Sequence, residues 1–400
     1  VMLGENDGPS MLSYATTGAT YGIGFFLPFI ALTFVMAYVV QEMTVRLAIA
    51  TGRGHAELIF ERFGPFWGWF AMLDLTVGNV LTLVTEFIAI RAGAAYFGIP
   101  PVAAVAAGIV LVAVTISTHR YFTWERVALA LAAFNLLFVP AALFAHPHWA
   151  DVARALGTWS PLPGGINATF ITLLLADVGA TVTPWMIFFQ QSAVVDKGLD
   201  EHDLTQGKFD TALGAVVATI AAIATVVVAA VLYAHRVHTA SMSGGADFAT
   251  ALAPYIGSTG AAHFALGMIE AGVVAAMTIS TSSAYAFAEV LHTRHSLNAG
   301  FRDARAFYVC AFVSVLVAGS TVLIPHAPLL AMTLAVNVIA TLLMAPALLF
   351  LLLLANDAEI MGHLGNGVRA NVAGGLIVVS IALMGAAYGV ITVFPGIVTR

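Results

Sequence analysis

Apolar runs about as long as a bilayer is thick recur along this chain, and they constrain its fold more than any other feature. A helix needs about 20 apolar residues to cross a membrane. Eleven spans are predicted, numbered 1 to 11: one that ends near Gly22, then 22–48, 65–95, 100–118, 124–144, 168–193, 209–234, 260–291, 305–324, 327–355 and 371–394. Composition agrees, because only 9% of residues are charged, against about 25% in soluble domains. The sequence predicts an all-α polytopic membrane protein.

Positive charge is concentrated in loops on one side of the predicted bundle. Of the 15 Lys and Arg residues, all but Arg91, Arg154, Arg236 and Arg400 would face the cytoplasm if the N-terminus does. Cytoplasmic loops are enriched in these residues. We therefore expect a multi-pass cell-membrane protein with a cytoplasmic N-terminus and an extracellular C-terminus. Because Val1 lies only a few residues before a polar stretch, the natural N-terminus is expected further upstream.

Span 1 is interrupted near its start by the polar stretch Glu5-Asn6-Asp7-Gly8-Pro9-Ser10. A charged side chain at bilayer depth costs about 2.5–3.5 kcal/mol on insertion scales, and proline removes a backbone N–H from the helical ladder. Transporters offset such costs by breaking the helix around an ion, which the carboxylate and freed carbonyls then bind. The alternative is that these residues only cap the first helix.

Span 6 contains a matching interruption, with Asp177, Gly179 and Pro184 in its middle. Interrupted spans at equivalent places in two halves indicate an inverted-repeat transporter with a midplane site. We expect one transmembrane domain, 1–400, with a LeuT-like fold. Its 5+5 inverted repeat would consist of residues 1–145 (spans 1 to 5) and 166–355 (spans 6 to 10), with span 11 at 371–394. Non-helical backbone is expected at 7–9 and 180–184.

Several short motifs occur in the order and spacing of a known family. Asp7-Gly8-Pro9-Ser10 is followed eight residues later by Gly18-Ala19-Thr20-Tyr21-Gly22, and span 6 contains Gly179-Ala180-Thr181-Val182-Thr183-Pro184-Trp185. Together with the loops at 41–64 and 356–367, these segments resemble the NRAMP family of divalent-metal transporters, most closely its NRAMP-related magnesium transporter branch. The resemblance covers essentially the whole chain.

The resemblance implies a metal site at the two breaks. Its ligands would be the Asp7 carboxylate, the Ser10 hydroxyl, the Ala180 carbonyl, Thr183 and Asn337, with Gly8, Asp177 and Glu270 as further candidates. Alternatives stay open: Ser10 as a helix cap, Thr183 bonded back to a carbonyl, and Asn337 as a bridge between helices. Asp177 and Glu270 either attract or coordinate cations or are packed, hydrogen-bonded or protonated groups.

Two departures from the family pattern concern the choice of ion. Thr183 stands where classical members have a methionine, and Ser10 stands where they have an asparagine. Both changes make the site harder and wider, which suits Mg²⁺ that keeps part of its water, while Mn²⁺ should still pass. The alternative is drift in a site that still transports manganese.

Two further departures concern protons. Trp185 replaces the family's histidine and Ala89 replaces the second acid of span 3, so that only Glu86 is left of that pair. We therefore expect transport without proton coupling. The alternatives are a proton-coupled Mn²⁺ or Fe²⁺ transporter, with other acids such as Asp74 as a proton route, and a Na⁺-coupled organic-solute carrier. Glu86 could instead pair with Arg91.

Other function classes lack their motifs. The sequence has no HExxH or GxSxG pattern for an enzyme and no repeated filter loop for a channel. No cofactor is expected, and no nucleic acid. The expected partners are divalent ions and the lipid bilayer, with a monomer sufficient for transport.

Overall fold

The computed structural model describes residues 1–160, 162, 164–237, 242 and 245–393, and within these ranges its regular structure is entirely helical. The α-helices are α1 Gly8–Tyr21, α2 Phe26–Thr51, α3 His55–Phe63, α4 Pro65–Tyr96, α5 Pro101–Ile116, α6 Tyr121–Ala132, α7 Phe138–Phe144, α8 Trp149–Gly157, α9 Ala168–Thr181, α10 Pro184–Lys197, α11 Leu204–Ala234, α12 Gly245–Val290, α13 Arg305–Thr321, α14 Leu329–Ala355, α15 Ala358–Met361 and α16 Val368–Val393. Short 3₁₀ helices include Met2–Glu5 and Ala133–Leu137.

Many of these helices are long and apolar enough to cross a membrane. Among the described residues there are eight such spans: Phe26–Thr51, Pro65–Tyr96, Tyr121–Phe144, Ala168–Lys197, Glu201–Ala234, Asp247–Val290, Leu329–Ala355 and Val368–Thr392. The apolar helices α5 and α13 are shorter, and α1 has 14 residues. The prediction of a polytopic all-α protein is confirmed. The count of eleven stays a prediction, because these three helices fall short of about 20 residues.

Some predicted boundaries differ from the structure for identifiable reasons. Predicted span 5 consists of α6 and α7 with the 3₁₀ helix Ala133–Leu137 between them; Pro140, in the first turn of α7, cannot donate to an α-helical ladder that runs through it. Predicted span 8 begins earlier, at Gly245, and bends at Gly257, whose φ of 72° suits a glycine. The connection at 146–167 contains the unpredicted helix α8. Predicted residue 394 of span 11 lies outside the described residues.

The helices that carry the interruptions lie inside the bundle. α4 packs along α12, α1 packs against α11, and α9 packs against α14. α1 also contacts α4, α9 and α14. Both interrupted segments are therefore surrounded by other helices and not by lipid, which is the condition under which non-helical backbone is tolerated at membrane depth.

The short helix α3, between α2 and α4, is fixed to α10 by a buried histidine. His55 Nδ1 lies 2.8 Å from Gln191 Oε1, and Gln191 Nε2 donates to the Arg53 carbonyl at 2.8 Å. The edge of the imidazole ring packs on Phe188. Burial lowers the pKa of His55 to about 4, against the opposing effect of the hydrogen bond with Gln191. His55 is therefore neutral at physiological pH and acts as a packed hydrogen-bond donor.

Acidification is expected to destabilise the protein through His55. Above the unfolded-state pKa of about 6.5, His55 is neutral in both the folded and the unfolded protein, so its lowered pKa does not affect stability. As the pH falls from 6.5 towards 4, His55 binds a proton in the unfolded protein but not in the folded one, which favours unfolding. The free energy of unfolding falls by about 2 kcal/mol between pH 7 and pH 5. Thermal unfolding in detergent at pH 7 and pH 5 measures it. His55→Gln should reduce the pH dependence, whereas the exposed control His235→Gln should not; equal pH dependence in all three proteins would contradict this role.

Candidate functional site

The interruption of span 1 falls at Asn6 and Asp7, between the 3₁₀ helix Met2–Glu5 and α1. Asp7 is extended (φ −73°, ψ 171°), and its Oδ1 accepts a hydrogen bond from Ser10 N at 2.8 Å. The predicted range 7–9 is therefore correct only at Asp7, whereas Gly8 and Pro9 are helical. Pro9 stands in the first helical turn, where its missing N–H removes no helical bond. The helix cap is therefore Asp7, and the alternative that Ser10 is the cap is wrong.

The interruption of span 6 consists of Val182 and Thr183, which are extended between α9 and α10. This is narrower than the predicted range 180–184. Ala180 lies in the last turn of α9, where carbonyls lack a helical partner. The Thr183 side chain is 2% exposed, and its Oγ1 has no hydrogen-bond partner. The alternative that Thr183 bonds back to a carbonyl is therefore wrong, and a buried hydroxyl is left available.

Ser10 joins the two interruptions. Its Oγ lies 2.5 Å from the Ala180 carbonyl oxygen and within hydrogen-bond distance of Asp7 Oδ1. A hydroxyl has one hydrogen to donate, and both neighbours are acceptors. Three oxygens from two broken helices thus meet at Ser10, whose hydroxyl has one hydrogen for two acceptors. Such an arrangement is rich in lone pairs and suits a hard cation.

Asn337 in α14 lies next to the interruption of span 1. Its Nδ2 donates to the Pro9 carbonyl at 3.1 Å, so Asn337 does bridge helices. α14 approaches α9 closely there, because a Cβ on Gly179 would lie 1.8 Å from the Asn337 carbonyl oxygen. The structure therefore brings Asn337 next to the interruption of span 1, while its role as a ligand stays a prediction.

Glu86 contacts the interruption from α4, a role that the sequence did not reveal. Its Oε2 accepts from Gly8 N at 3.0 Å, and its carboxyl is within hydrogen-bonding reach of Asp7. The alternative that Glu86 pairs with Arg91 is not borne out, since Arg91 donates to the Val322 carbonyl. The available signal was the position of Glu86 as a carboxylic acid inside the apolar span 3.

Gly8 is needed where α1 crosses α4. A Cβ at this position would lie 2.1 Å from the Ala89 Cβ and 3.2 Å from Glu86 Oε2. Only glycine permits this approach. Gly8 therefore serves the site through its backbone N–H and through its lack of a side chain.

The two additional acids differ in their surroundings. Asp177 is fully buried, and its two oxygens accept from Ser13 Oγ at 2.7 Å and Thr17 Oγ1 at 2.9 Å. It therefore ties α9 to α1 as a packed, hydrogen-bonded group. Glu270 is 6% exposed, and neither of its oxygens has a partner. Within the described residues, no hydrogen bond joins either acid to Asp7 or Ser10.

These features define an all-α, multi-span membrane protein with the LeuT-like fold and two interrupted helices that meet at an oxygen-rich site. Residues 1–391 match the Nramp family, described as natural resistance-associated macrophage protein-like. The chain therefore belongs to the Nramp family.

Solved structures share this fold. A structure of a mutant manganese transporter from Eremococcus coleocola has a TM-score of 0.75 at 17% identity and covers 98% of this chain and 86% of that one. A second structure of the same transporter, with a bis-isothiourea compound, has a TM-score of 0.74. MHP1, a nucleobase-cation-symport-1 family transporter, is more distant, with a TM-score of 0.52.

Curated relatives are named divalent metal cation transporter MntH. The one from Erwinia tasmaniensis is 27% identical over 284 residues, which are 68% of this chain and 66% of the relative. The one from Yersinia pestis is 29% identical over 271 residues, 64% and 63% of the two chains. The chain thus spans just under two thirds of the length of these relatives. They are named as transporters and not as enzymes, in line with the motifs that the sequence lacks.

Proposed function

We propose that this protein transports divalent metal ions, Mg²⁺ and also Mn²⁺, by alternating access at the two interruptions. The observation that carries the proposal is the group of three oxygens, from Asp7, Ser10 and Ala180, that meet where the two interruptions approach each other. The names of the MntH relatives support a divalent metal as the substrate. The N-terminus would be cytoplasmic, and residues 1–145 and 166–355 would form the inverted repeats that move against each other.

Each ligand has a proposed role. Asp7 supplies the negative charge that offsets dehydration of the ion. Ser10 and the Ala180 carbonyl supply neutral oxygens, and Thr183, whose hydroxyl lacks a partner, binds the ion or one of its waters. Asn337 becomes a further ligand when the site closes around the ion. Its hydrogen bond with the Pro9 carbonyl already places it beside the site.

The remaining candidates act around this set. Gly8 contributes close packing, and Asp177 holds the two broken helices together. Glu270 adds negative charge for cations on their way to the site. None of these three is needed as a direct ligand.

A preference for Mg²⁺ follows from the chemistry of these ligands, all of which are oxygens. Magnesium takes hard oxygen ligands and gives up its water reluctantly, whereas a thioether favours softer transition metals. The chain would then belong to the NRAMP-related magnesium transporter branch. A manganese transporter of the classical type is the second candidate, favoured by the name of the structurally similar protein from Eremococcus coleocola.

Transport is expected to proceed without proton movement. Trp185, whose indole cannot titrate, stands after Pro184, and Ala89 packs against Gly8 where classical members have an acid. The ion would move down its electrochemical gradient, which contributes about 2.3 kcal/mol per charge per 100 mV, or about twice that for a divalent ion. Proteoliposomes that contain a pH-sensitive dye, under an inside-negative potential, should show Mg²⁺ or Mn²⁺ uptake and no metal-dependent acidification.

The matched control for this measurement is Asp7→Asn in the same liposomes, which reports the leak of protons and metal through an impaired protein. Acidification that rises with metal influx in the wild type, and not in Asp7→Asn, would contradict uncoupled transport. It would assign the chain to the proton-coupled type, with Glu86 as the first residue to examine.

A further inference from the structure

A second group of oxygens without partners surrounds the residues just before Asp7. Glu5 Oε2, Asn6 Oδ1, Gln41 Oε1 and Asn135 Oδ1 are buried and have no hydrogen-bond partner. All four side chains are at most 1% exposed. Each atom is a carboxylate or amide oxygen, so what is missing in every case is a hydrogen-bond donor or a cation.

The orientation of the three amides is fixed by their nitrogens. Gln41 Nε2 donates to Glu5 Oε1 at 3.2 Å, and Asn6 Nδ2 donates to the Ala218 carbonyl at 2.8 Å. Asn135 Nδ2 donates to the Asn6 carbonyl at 3.1 Å. Flipping any of these amides would place an oxygen against an oxygen. The unpartnered atoms are therefore oxygens and not misassigned nitrogens.

Along the chain, this group lies next to a residue that lines a cavity and to the Asp7 site. Gly4 lines a cavity of about 500 Å³, together with Glu125, Lys197 and Thr278. Asp7 begins the site already described, and Glu5 and Asn6 are the residues between Gly4 and Asp7.

We propose that Glu5, Asn6, Gln41 and Asn135 form a second cation subsite, which takes a partly hydrated, hard divalent ion such as Mg²⁺ between the cavity and Asp7. The inference rests on the proposed transport function. One carboxylate provides charge, and the amide oxygens bind the ion or its waters, which are the donors that these oxygens lack. A buried polar atom without a partner is unfavourable, and occupation of the subsite satisfies several such atoms at once.

Counting bound ions tests this subsite directly. Purified protein in detergent is titrated with Mn²⁺, bound ions are counted by electron paramagnetic resonance, and Mg²⁺ is added as competitor. The wild type should bind two ions per chain. Glu5→Gln, which keeps the size of the side chain, should bind one, and Asp7→Ala should bind one at the other site. The control Glu125→Gln, whose carboxylate lines the same cavity but pairs with Lys197 at 2.6 Å, should bind two.

A second variant serves if Glu5→Gln fails to fold, as judged by size-exclusion chromatography. Gln41→Met keeps the length of the side chain without its oxygen. It should weaken the binding of the ion at the proposed subsite about tenfold and leave the binding of the ion at Asp7 unchanged.

The outcomes separate the two proposals. One bound ion, lost in Asp7→Ala and retained in Glu5→Gln, overturns the subsite and leaves the transport site standing. One ion lost in Glu5→Gln and retained in Asp7→Ala supports the subsite and overturns the role of Asp7. No bound ion in the wild type overturns both.

Discussion

Replacing Asp7 by alanine is expected to abolish Mg²⁺ and Mn²⁺ uptake while the protein stays folded. Asp7 is the only carboxylate among the proposed ligands at the meeting point of α1 and α9, and the other groups are neutral oxygens. Glu86 lies beside the site but binds Gly8 N and is not a proposed ligand, so without Asp7 the remaining, neutral ligands do not offset the cost of removing water from a doubly charged ion. Uptake in proteoliposomes should fall to the level of protein-free liposomes.

Because Asp7 also caps α1, alanine removes a cap worth about 0.5–2 kcal/mol along with the charge. Asp7→Asn separates the two effects, because asparagine is an equally good cap but carries no charge. It should lose uptake and keep the wild-type melting temperature. Near wild-type uptake by Asp7→Asn would remove the carboxylate from the ion's path.

Replacing Thr183 by methionine is expected to exchange the ion preference. The Thr183 hydroxyl is buried without a partner, so it is free to accept a hydrogen bond from a metal-bound water. A thioether is a poor acceptor for such a water but a good ligand for softer ions. In calorimetric titrations, Thr183→Met should bind Mn²⁺ and Cd²⁺ more tightly and Mg²⁺ more weakly, each by roughly tenfold.

The control for this exchange is Thr183→Val, which keeps the shape of the side chain but has neither hydroxyl nor sulfur. Thr183→Val should bind Mg²⁺ more weakly than the wild type and should bind Cd²⁺ no more tightly. If all three proteins rank the ions in the same order, selectivity resides at other residues of the site.

The sequence was sufficient for the features that depend on local chemistry. Apolar length predicted the spans, and Pro9 and Pro184 marked two interruptions that the structure places in contact through Ser10. The exact non-helical residues could not be predicted, because a proline fits the first turn of a new helix as well as it ends an old one.

Features that depend on distant residues were beyond a single sequence. Glu86 binds Gly8 across 78 positions, and no local pattern indicates that pairing. The family resemblance drew attention to Asp7 and Ser10 and away from Glu5 and Asn6. The unpartnered oxygens of those two residues become visible only when the donors around them are known.

The contact between Gly8 and Ala89 concerns only one of the two departures proposed for this chain, the absence of proton coupling, and not the other, the preference for Mg²⁺. The proposed ion preference depends on one side chain, Thr183, whose buried hydroxyl has no hydrogen-bond partner, so a single substitution should change it. The position of the missing acid, Ala89, lies against the backbone of α1, where even one added methyl on Gly8 would meet it at 2.1 Å. A longer side chain at Ala89 would have to fit beside this contact. Under the proposed roles, one substitution would change the ion, whereas an acid at Ala89 would have to be accommodated within a close contact between two helices.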